Sequence, residues 1–218
     1  MLSSQKDPYE QARQRMVDDQ IVARGITDQA TLRAIRKVPR HLFVPLSETP
    51  FAYEDYPLPI GHGQTISQPF IVAYMTQLSE PAKGKNALEI GTGSGYQAAV
   101  LAEIVDTVYT IEIVPALASE AAERLKKLGY TNIVAKYGDG YAGWPEHSPF
   151  DIILVTAAAD HIPQPLIDQL AEGGLLIMPV GAQYSVQKLI RLEKRKGKVI
   201  REELEPVRFV PLKRLNQK

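Results

Sequence analysis

The sequence predicts an α/β chain built on a doubly wound, mostly parallel sheet, with helices ahead of it and antiparallel strands at its end. Three observations carry this. Residues 86–102, NALEIGTGSGYQAAVLA, read as strand, glycine turn and helix: 87–90 is a short apolar run, glycines stand at 91, 93 and 95, and 96–103 has helical composition. Residues 151–155, DIILV, are nearly all apolar, as a central parallel strand buried on both faces should be. Residues 186–193 and 199–204 instead alternate apolar with charged positions, which suits antiparallel strands with one wet face.

In chain order, residues 9–24 have helical composition, with Met16, Gln20 and Ala23 on one face, Val17, Ile21 and Arg24 on the next, and Gly25 as the stop. Thr27 reads as the N-cap of a second helix through Val38, closed by Pro39. Both helices are expected against the sheet or over its ligand edge. Six prolines between positions 39 and 69 keep that stretch from regular structure for long. Inside it Thr65, Ser67 and Gln68 are small polar groups in a loop, and Pro69 sits where a helix over 69–79 begins, so Ser67 or Gln68 reads locally as its cap. A third strand, 132–135, runs into Tyr137-Gly138-Asp139-Gly140, where an acid between glycines suits a turn. Small residues at 156–159 line the crevice, 162–171 reads as a helix stopped by Gly173-Gly174, and 175–180 as the fifth strand. The lysine-rich 194–198 reads as a hairpin loop, and 207–212 as a segment that closes the sheet, with Pro211 at an edge.

The glycine turn is bracketed by acids. Glu89 ends the first strand and Glu112 the second, 107–111, so both are expected at the carboxyl edge of the sheet, where ligands of doubly wound folds bind. Glycines at 91, 93 and 95 let a ligand lie on the main chain, and the helix behind points free N–H groups at it. Glu112 lies 17 residues past Gly95 (112 − 95), near the spacing of about 20 expected for a carboxylate that binds a ribose diol. A dinucleotide is disfavoured because position 96, where its fingerprint needs a small residue, holds Tyr96. An acid before the loop also repels a pyrophosphate and suits a cation. The adenosine ligand with positive charge and no phosphate is S-adenosylmethionine.

Glu89-Ile90-Gly91-Thr92-Gly93-Ser94-Gly95 followed by Glu112 resembles motif I of the class I methyltransferases, which implies their Rossmann-like fold. GHGQTISQPFIVAYM at 61–75, YGDGYAGWP at 137–145, PFDIILVTAAADHIPQPLIDQLAEGGLLIMPVG at 149–181 and VRFVPL at 207–212 resemble the protein-L-isoaspartate O-methyltransferase family, in order from about Val38 onward. The resemblance implies that Ser67 is the active-site serine. It implies that Ile66, Gln68, Pro69, Glu89, Gly91, Thr92, Gly93, Gly95, Glu112, Asp139 and Gly140 hold S-adenosylmethionine and its product S-adenosyl-L-homocysteine, with Asp139 and Gly140 at the adenine end. It also implies a repair activity: methylation of the free α-carboxylate of isoaspartyl residues in proteins and peptides, closure of the ester to a succinimide, and hydrolysis that restores some normal aspartate.

The chemistry is self-consistent. An isoaspartyl α-carboxylate, with a reference pKa near 3 to 4, is ionised at neutral pH and needs no general base. The protein has to hold oxygen, methyl carbon and sulfur in line and exclude water. Two rivals remain: a methyltransferase of the same fold acting on a small molecule, another carboxylate or RNA, and a silent adenosine-binding module. A serine hydrolase is set aside because Ser94 lacks the glycine two residues before it that a nucleophile elbow requires.

With 218 residues, 44% hydrophobic, and no Gly/Ser-rich linker, a single domain is expected, 1–80 carrying the helices and active-site loop and 81–218 the cofactor-binding core. The 25 acids balance 25 bases, so no net field draws the chain to nucleic acid or membrane. The start is polar and no run approaches the 18 or so apolar residues of a membrane span, so a cytoplasmic monomer is the expectation. The absence of cysteine excludes disulfides, thiolate metal sites and a cysteine nucleophile, and the four histidines lack metal-ligand spacing.

Overall fold

In the computed structural model, which describes residues 7–182 and 185–215, the chain begins with one helical run. Its α-helical part, α1 (Glu10–Arg15), continues as a π turn over Met16–Ile21 and a 3₁₀ turn over Val22–Arg24, and Gly25 ends it at φ 91. Met16, Val17 and Ile21 are its buried face. The second helix, α2 (Gln29–Lys37), is capped by Asp28 and not by Thr27: Asp28 Oδ2 accepts the Thr31 N–H at 2.7 Å. Gln77 takes the N–H groups of both Thr27 and Asp28, each at 2.8 Å, which fixes Thr27 outside the helix. Val38, before Pro39, is extended as that proline demands.

The prolines that follow yield 3₁₀ turns at Arg40–Phe43 and Leu46–Phe51, then one regular element that the sequence does not predict. It is an antiparallel hairpin, β1 (Leu58–Gly61) with β2 (Gln64–Ile66). His62 (φ 54) and Gly63 (φ 69) turn it with the two positive φ values of a tight hairpin loop. Pro59 is tolerated because a two-stranded ribbon leaves each strand an unpaired edge. Helix α3 (Pro69–Leu78) then starts on Pro69.

The remaining elements are β3 (Asn86–Ile90), α4 (Tyr96–Ala102), β4 (Thr107–Glu112), α5 (Pro115–Lys127), β5 (Ile133–Tyr137), β6 (Phe150–Val155), α6 (Gln164–Asp168), β7 (Leu170–Val180), β8 (Gln187–Arg195) and β9 (Lys198–Val207). Helix α5 is left unassigned by the sequence reading. The sheet runs β5-β4-β3-β6-β7-β8-β9; the first five strands are parallel, and β8 and β9 antiparallel. The chain winds outward from β3 to β5 and then crosses back to β6, so β3 and β6 flank the switch point where such sheets bind ligands. Alternation along the strands fills both faces. Leu88, Ile90, Ile153, Val155 and Leu176 pack with Trp144 and Leu166, while Ala87, Val108, Ile152 and Leu154 pack under Ala98 and Leu101 of α4 and Met75 of α3. The N-terminal helices bury their apolar face on α3 and α4, and Phe43 after them lies edge-on to Tyr96 at 5.4 Å.

Two expectations for the second half are corrected. The helix over 162–171 shrinks to α6, and Leu170 already pairs with Phe150. Gln169 is pulled to the sheet side, its side chain accepting the Trp144 N–H at 2.7 Å and donating to Ala142 O at 2.8 Å. Gly173 (φ 77) and Gly174 therefore form an irregularity within β7 instead of a helix stop. After Val207 the chain leaves the sheet and does not close it. Residues 208–215 form a strap across the carboxyl edge, where Ala158 N donates to Val210 O at 2.8 Å and Leu212 N to Ala158 O at 2.7 Å. The lysine-rich hairpin narrows to Lys196 (φ 53) and Gly197 (φ 69), and β9 beyond it is the last strand, exposed along most of its length.

Candidate active site

The turn after β3 uses backbone that side chains resist. Gly91 (φ 96) donates to Ile111 O at 2.9 Å, and a Cβ there would meet Thr156 Oγ1 at 2.5 Å. Gly93 (φ 51) donates its N–H to Glu112 Oε2 at 2.7 Å. Gly95 caps α4 at φ 88, and the space of its missing side chain is taken by Leu125 of α5 at 3.3 Å, so it serves packing between helices. Arg124, also from α5, donates to Ser94 O at 2.9 Å and clamps the turn from behind.

The two flanking acids sit in different environments. Glu112 at the end of β4 is anchored by backbone, Oε2 on Gly93 and Oε1 on the Val114 N–H at 2.9 Å, so its carboxylate is held flat against the turn. Glu89 is fully buried. Its Oε2 accepts from Thr110 Oγ1 at 2.5 Å, and that hydroxyl lies 2.6 Å from Thr92 Oγ1, so Thr92, Thr110 and Glu89 form a chain. Glu89 Oε1 is buried with no hydrogen-bond partner among the described residues. Burial pushes this carboxyl up to about 8; Thr110 pulls down, nearby Glu112 pushes up further, and the Ala98 N–H pulls down.

Opposite the turn stands the loop after β2. Gln68 is the N-cap of α3 without a side-chain cap bond, and its amide instead donates to Asp55 O at 2.9 Å. Ser67 lies one residue outside that cap, and among the described residues its hydroxyl has no partner. Thr65, Ile66 and Ser67 face Glu89, Gly91, Thr92, Gly93, Ser94 and Gln97 across one small polar recess. Ser67 also borders a groove of about 1550 Å³ that runs between Phe70 and Tyr74 of α3 and the strap residues Arg208 and Phe209.

A second recess, about 50 Å³, lies between Ile90, Gly91, Gly93, Glu112 and Gly140 below and Val210 to Lys213 of the strap above. Gly140 fits because a Cβ there would strike Ile90 Cγ2 at 2.2 Å. Asp139 does not line this recess: its Oδ1 accepts the Tyr141 N–H at 3.0 Å, and its Oδ2 takes Arg214 Nε at 3.2 Å. Of the expected residues, Ile66, Ser67, Glu89, Gly91, Thr92, Gly93, Glu112 and Gly140 thus share adjoining recesses. Gln68 lines only the groove, Pro69 is buried at the start of α3, and Gly95 faces α5. Sequence reasoning missed the strap, whose lining role depends on a crossing no local pattern reports. It also missed Arg40, although a lone arginine inside the apolar stretch Val38 to Val44 was a visible signal.

A family model described as protein-L-isoaspartate(D-aspartate) O-methyltransferase matches residues 11–217. A protein-L-isoaspartate O-methyltransferase of Gloeobacter violaceus is 58% identical over 199 residues, 91% of this chain and 97% of that protein. One from Opitutus terrae is 57% identical over 210 residues, 94% of this chain and 90% of that protein. Among solved structures, a Plasmodium falciparum chain described as a protein-L-isoaspartate O-methyltransferase, in complex with S-adenosyl-L-homocysteine, superposes with a TM-score of 0.78 at 28% identity, over 95% of this chain and 99% of that one. The family match runs almost from end to end, and the glycine turn, its acids and the serine loop lie within it; the chain belongs to the protein-L-isoaspartate(D-aspartate) O-methyltransferase family.

Proposed function

We infer that this chain is a repair methyltransferase that uses S-adenosylmethionine to methylate the free α-carboxylate of L-isoaspartyl residues, the ester then closing to a succinimide on the way to normal aspartate. The observation that carries it is the recess shared by the Ser67 loop and the glycine turn. It sets the serine loop, read here as the acceptor-binding element, against the glycine turn, read here as the nucleoside-binding element, beside the switch point. The residues present fit the cofactor. Gly91 lines both recesses, and Glu89 Oε1 is a buried acceptor without a partner among the described residues that a cationic ligand would satisfy.

When bound, S-adenosylmethionine supplies a methyl group on a sulfonium. Glu112 would hold the ribose hydroxyls, Glu89 the charged end, and Gly140 with Asp139 the adenine side. Asp139 shares its carboxylate with Arg214 in doing so. Ser67 would orient the attacking carboxylate, which arrives ionised and asks for no proton transfer. With substrate and cofactor in place, the walls of β2, the glycine turn and the strap would displace water, so that opposite charges neutralise in a low dielectric.

The reading extends to a single domain, with residues 1–80 supplying the serine loop and 81–218 the cofactor half, working as a cytoplasmic monomer on isoaspartyl proteins and peptides and not on nucleic acid. A net charge of zero supports the last point. No helix among the described residues is long and apolar enough to cross a membrane. The test is methyl transfer to an isoaspartyl peptide beside its normal aspartyl twin. An isoaspartyl linkage moves the carboxylate by about 1 Å, enough to cost on the order of a hundredfold in a fixed site. The twin should be inert; equal methylation of both overturns the repair reading.

A further inference from the structure

Among the described residues Arg40 is the largest fully buried side chain and forms no salt bridge, although Asp55 lies near enough to attract its charge. Arginine is almost never buried this way without a partner. Its hydrogen bonds go to main-chain carbonyls: Nε to Ala52 O at 2.8 Å and Nη2 to Ser67 O at 2.8 Å. Its guanidinium carbon lies 4.9 Å from the ring centroid of Tyr96, the first residue of α4. Among the described residues neither Nη1 nor the Tyr96 hydroxyl has a well-formed hydrogen-bond partner, but the two groups lie close enough to attract each other. Burial pulls the guanidinium down to about 10, so it stays cationic at neutral pH.

An apolar residue of the same volume would spare the removal of a charge from water but would leave the Ala52 and Ser67 carbonyls without this donor. What an apolar residue cannot do is grip two carbonyls while lying on an aromatic face. The three things Arg40 touches belong to three segments: the turn before β1, the serine loop, and the helix that opens at the glycine turn. Pulling the Ser67 carbonyl inward fixes the peptide plane on one side of its Cα, and that sets where its Cβ and hydroxyl point. Resting on the reading of Ser67 given above, we propose that Arg40 is a positioning residue for methyl transfer, holding Ser67 in register with the glycine turn through the Ser67 carbonyl.

The experiment is a mutant cycle on the intact enzyme, with Arg40→Met, Ser67→Ala and the double variant, each assayed by single-turnover methylation of an isoaspartyl peptide. Wild-type turnover comes first; if it is absent, the functional reading fails and the cycle is moot. With an active wild type, Arg40→Met should slow the methyl-transfer step about tenfold or more. Affinity for S-adenosyl-L-homocysteine should change less than threefold, because the ribose and cation sites are untouched. The double variant should be no slower than Ser67→Ala alone. Arg40→Lys, which reaches one carbonyl but not both, should fall between wild type and Met, and it carries the cycle if the Met variant does not fold. A wild-type rate with a lowered melting point, or losses that multiply in the double variant, would show a structural arginine and overturn the proposal.

Discussion

Thr110 donates a hydrogen bond to Glu89 at 2.5 Å, the one side-chain hydrogen bond found among the described residues for a carboxyl group with no exposure to water. The contact does not offset burial, and Glu89 stays protonated up to about pH 8. Between the ordinary 4.5 and that value the unfolded chain has lost a proton that the folded chain keeps. Stability from this group is therefore full below about 4.5 and lost as pH rises through about 8. A shift of this kind amounts to a few kcal/mol, at about 1.4 per unit. The difference in melting temperature between Glu89→Gln and wild type should move in favour of the variant from pH 5 to pH 9. A difference independent of pH refutes the assignment.

The same proton reports on the ligand. A cation settling against Glu89 Oε1 favours the ionised carboxylate, so cofactor binding at pH 7 should release a proton, approaching one per site. Calorimetry in buffers of different ionisation enthalpy measures it directly. Glu89→Gln should bind with no such release.

Ser67→Ala separates a cap from a catalytic group. The geometry gives the hydroxyl no role in α3, so the melting temperature should stay within a degree or two. Loss of a hydrogen bond to a charged group, about 1.5–3 kcal/mol, should slow single-turnover methylation roughly ten- to a hundredfold. Total loss is not expected, because the nucleophile belongs to the substrate. A lowered melting point with an unchanged rate would return Ser67 to the cap.

Glu112→Ala should weaken binding of S-adenosyl-L-homocysteine at least tenfold. Here stability should fall too, by about 1–3 kcal/mol, because Gly93 and Val114 each lose an acceptor. Calorimetry and thermal melts on one preparation check both. Unchanged affinity removes Glu112 from the ribose site.

Val210 to Lys213 of the strap roof the glycine turn and border the large groove as well, so the strap stands between that groove and the recess over the turn. Arg214 holds it down through Asp139 at 3.2 Å and by lying 4.2 Å over the Tyr141 ring. Such exposed contacts are worth about 1 kcal/mol together. Arg214→Ala should speed cofactor association and dissociation about fivefold in stopped-flow, with the methyl-transfer step unaltered. Unchanged exchange kinetics would mean that the strap is no gate.

The central strands, the glycine turn and its acids were legible in the sequence because each depends on neighbours within a few residues: apolar runs mark β3 and β6, and glycine spacing marks the turn. The cap of α2 was misplaced by one residue because Gln77, almost fifty positions away, decides it. The end of α6 was misread for a similar reason, since Gln169 answers to Trp144 and Ala142 more than to its own helix. Arg40 is visible as a charge in an apolar stretch, but its partners, like the crossing of the strap, are not. A hydrogen bond to the Ser67 carbonyl and a crossing over Ala158 are facts of tertiary structure, and no periodicity encodes them.

The last strand has a consequence for the company this enzyme keeps. β9 exposes Val199 and Ile200 but flanks them with Lys198, Arg201, Glu202, Glu203 and Glu205, and meets Pro206 near its end. Chains with an isoaspartyl kink have a loosened backbone, and loosened backbone adds readily to an open sheet edge, where it would stay and aggregate. A charged ribbon that ends at a proline is a poor template for it. The outer strand thus guards its own edge of the sheet against an added strand.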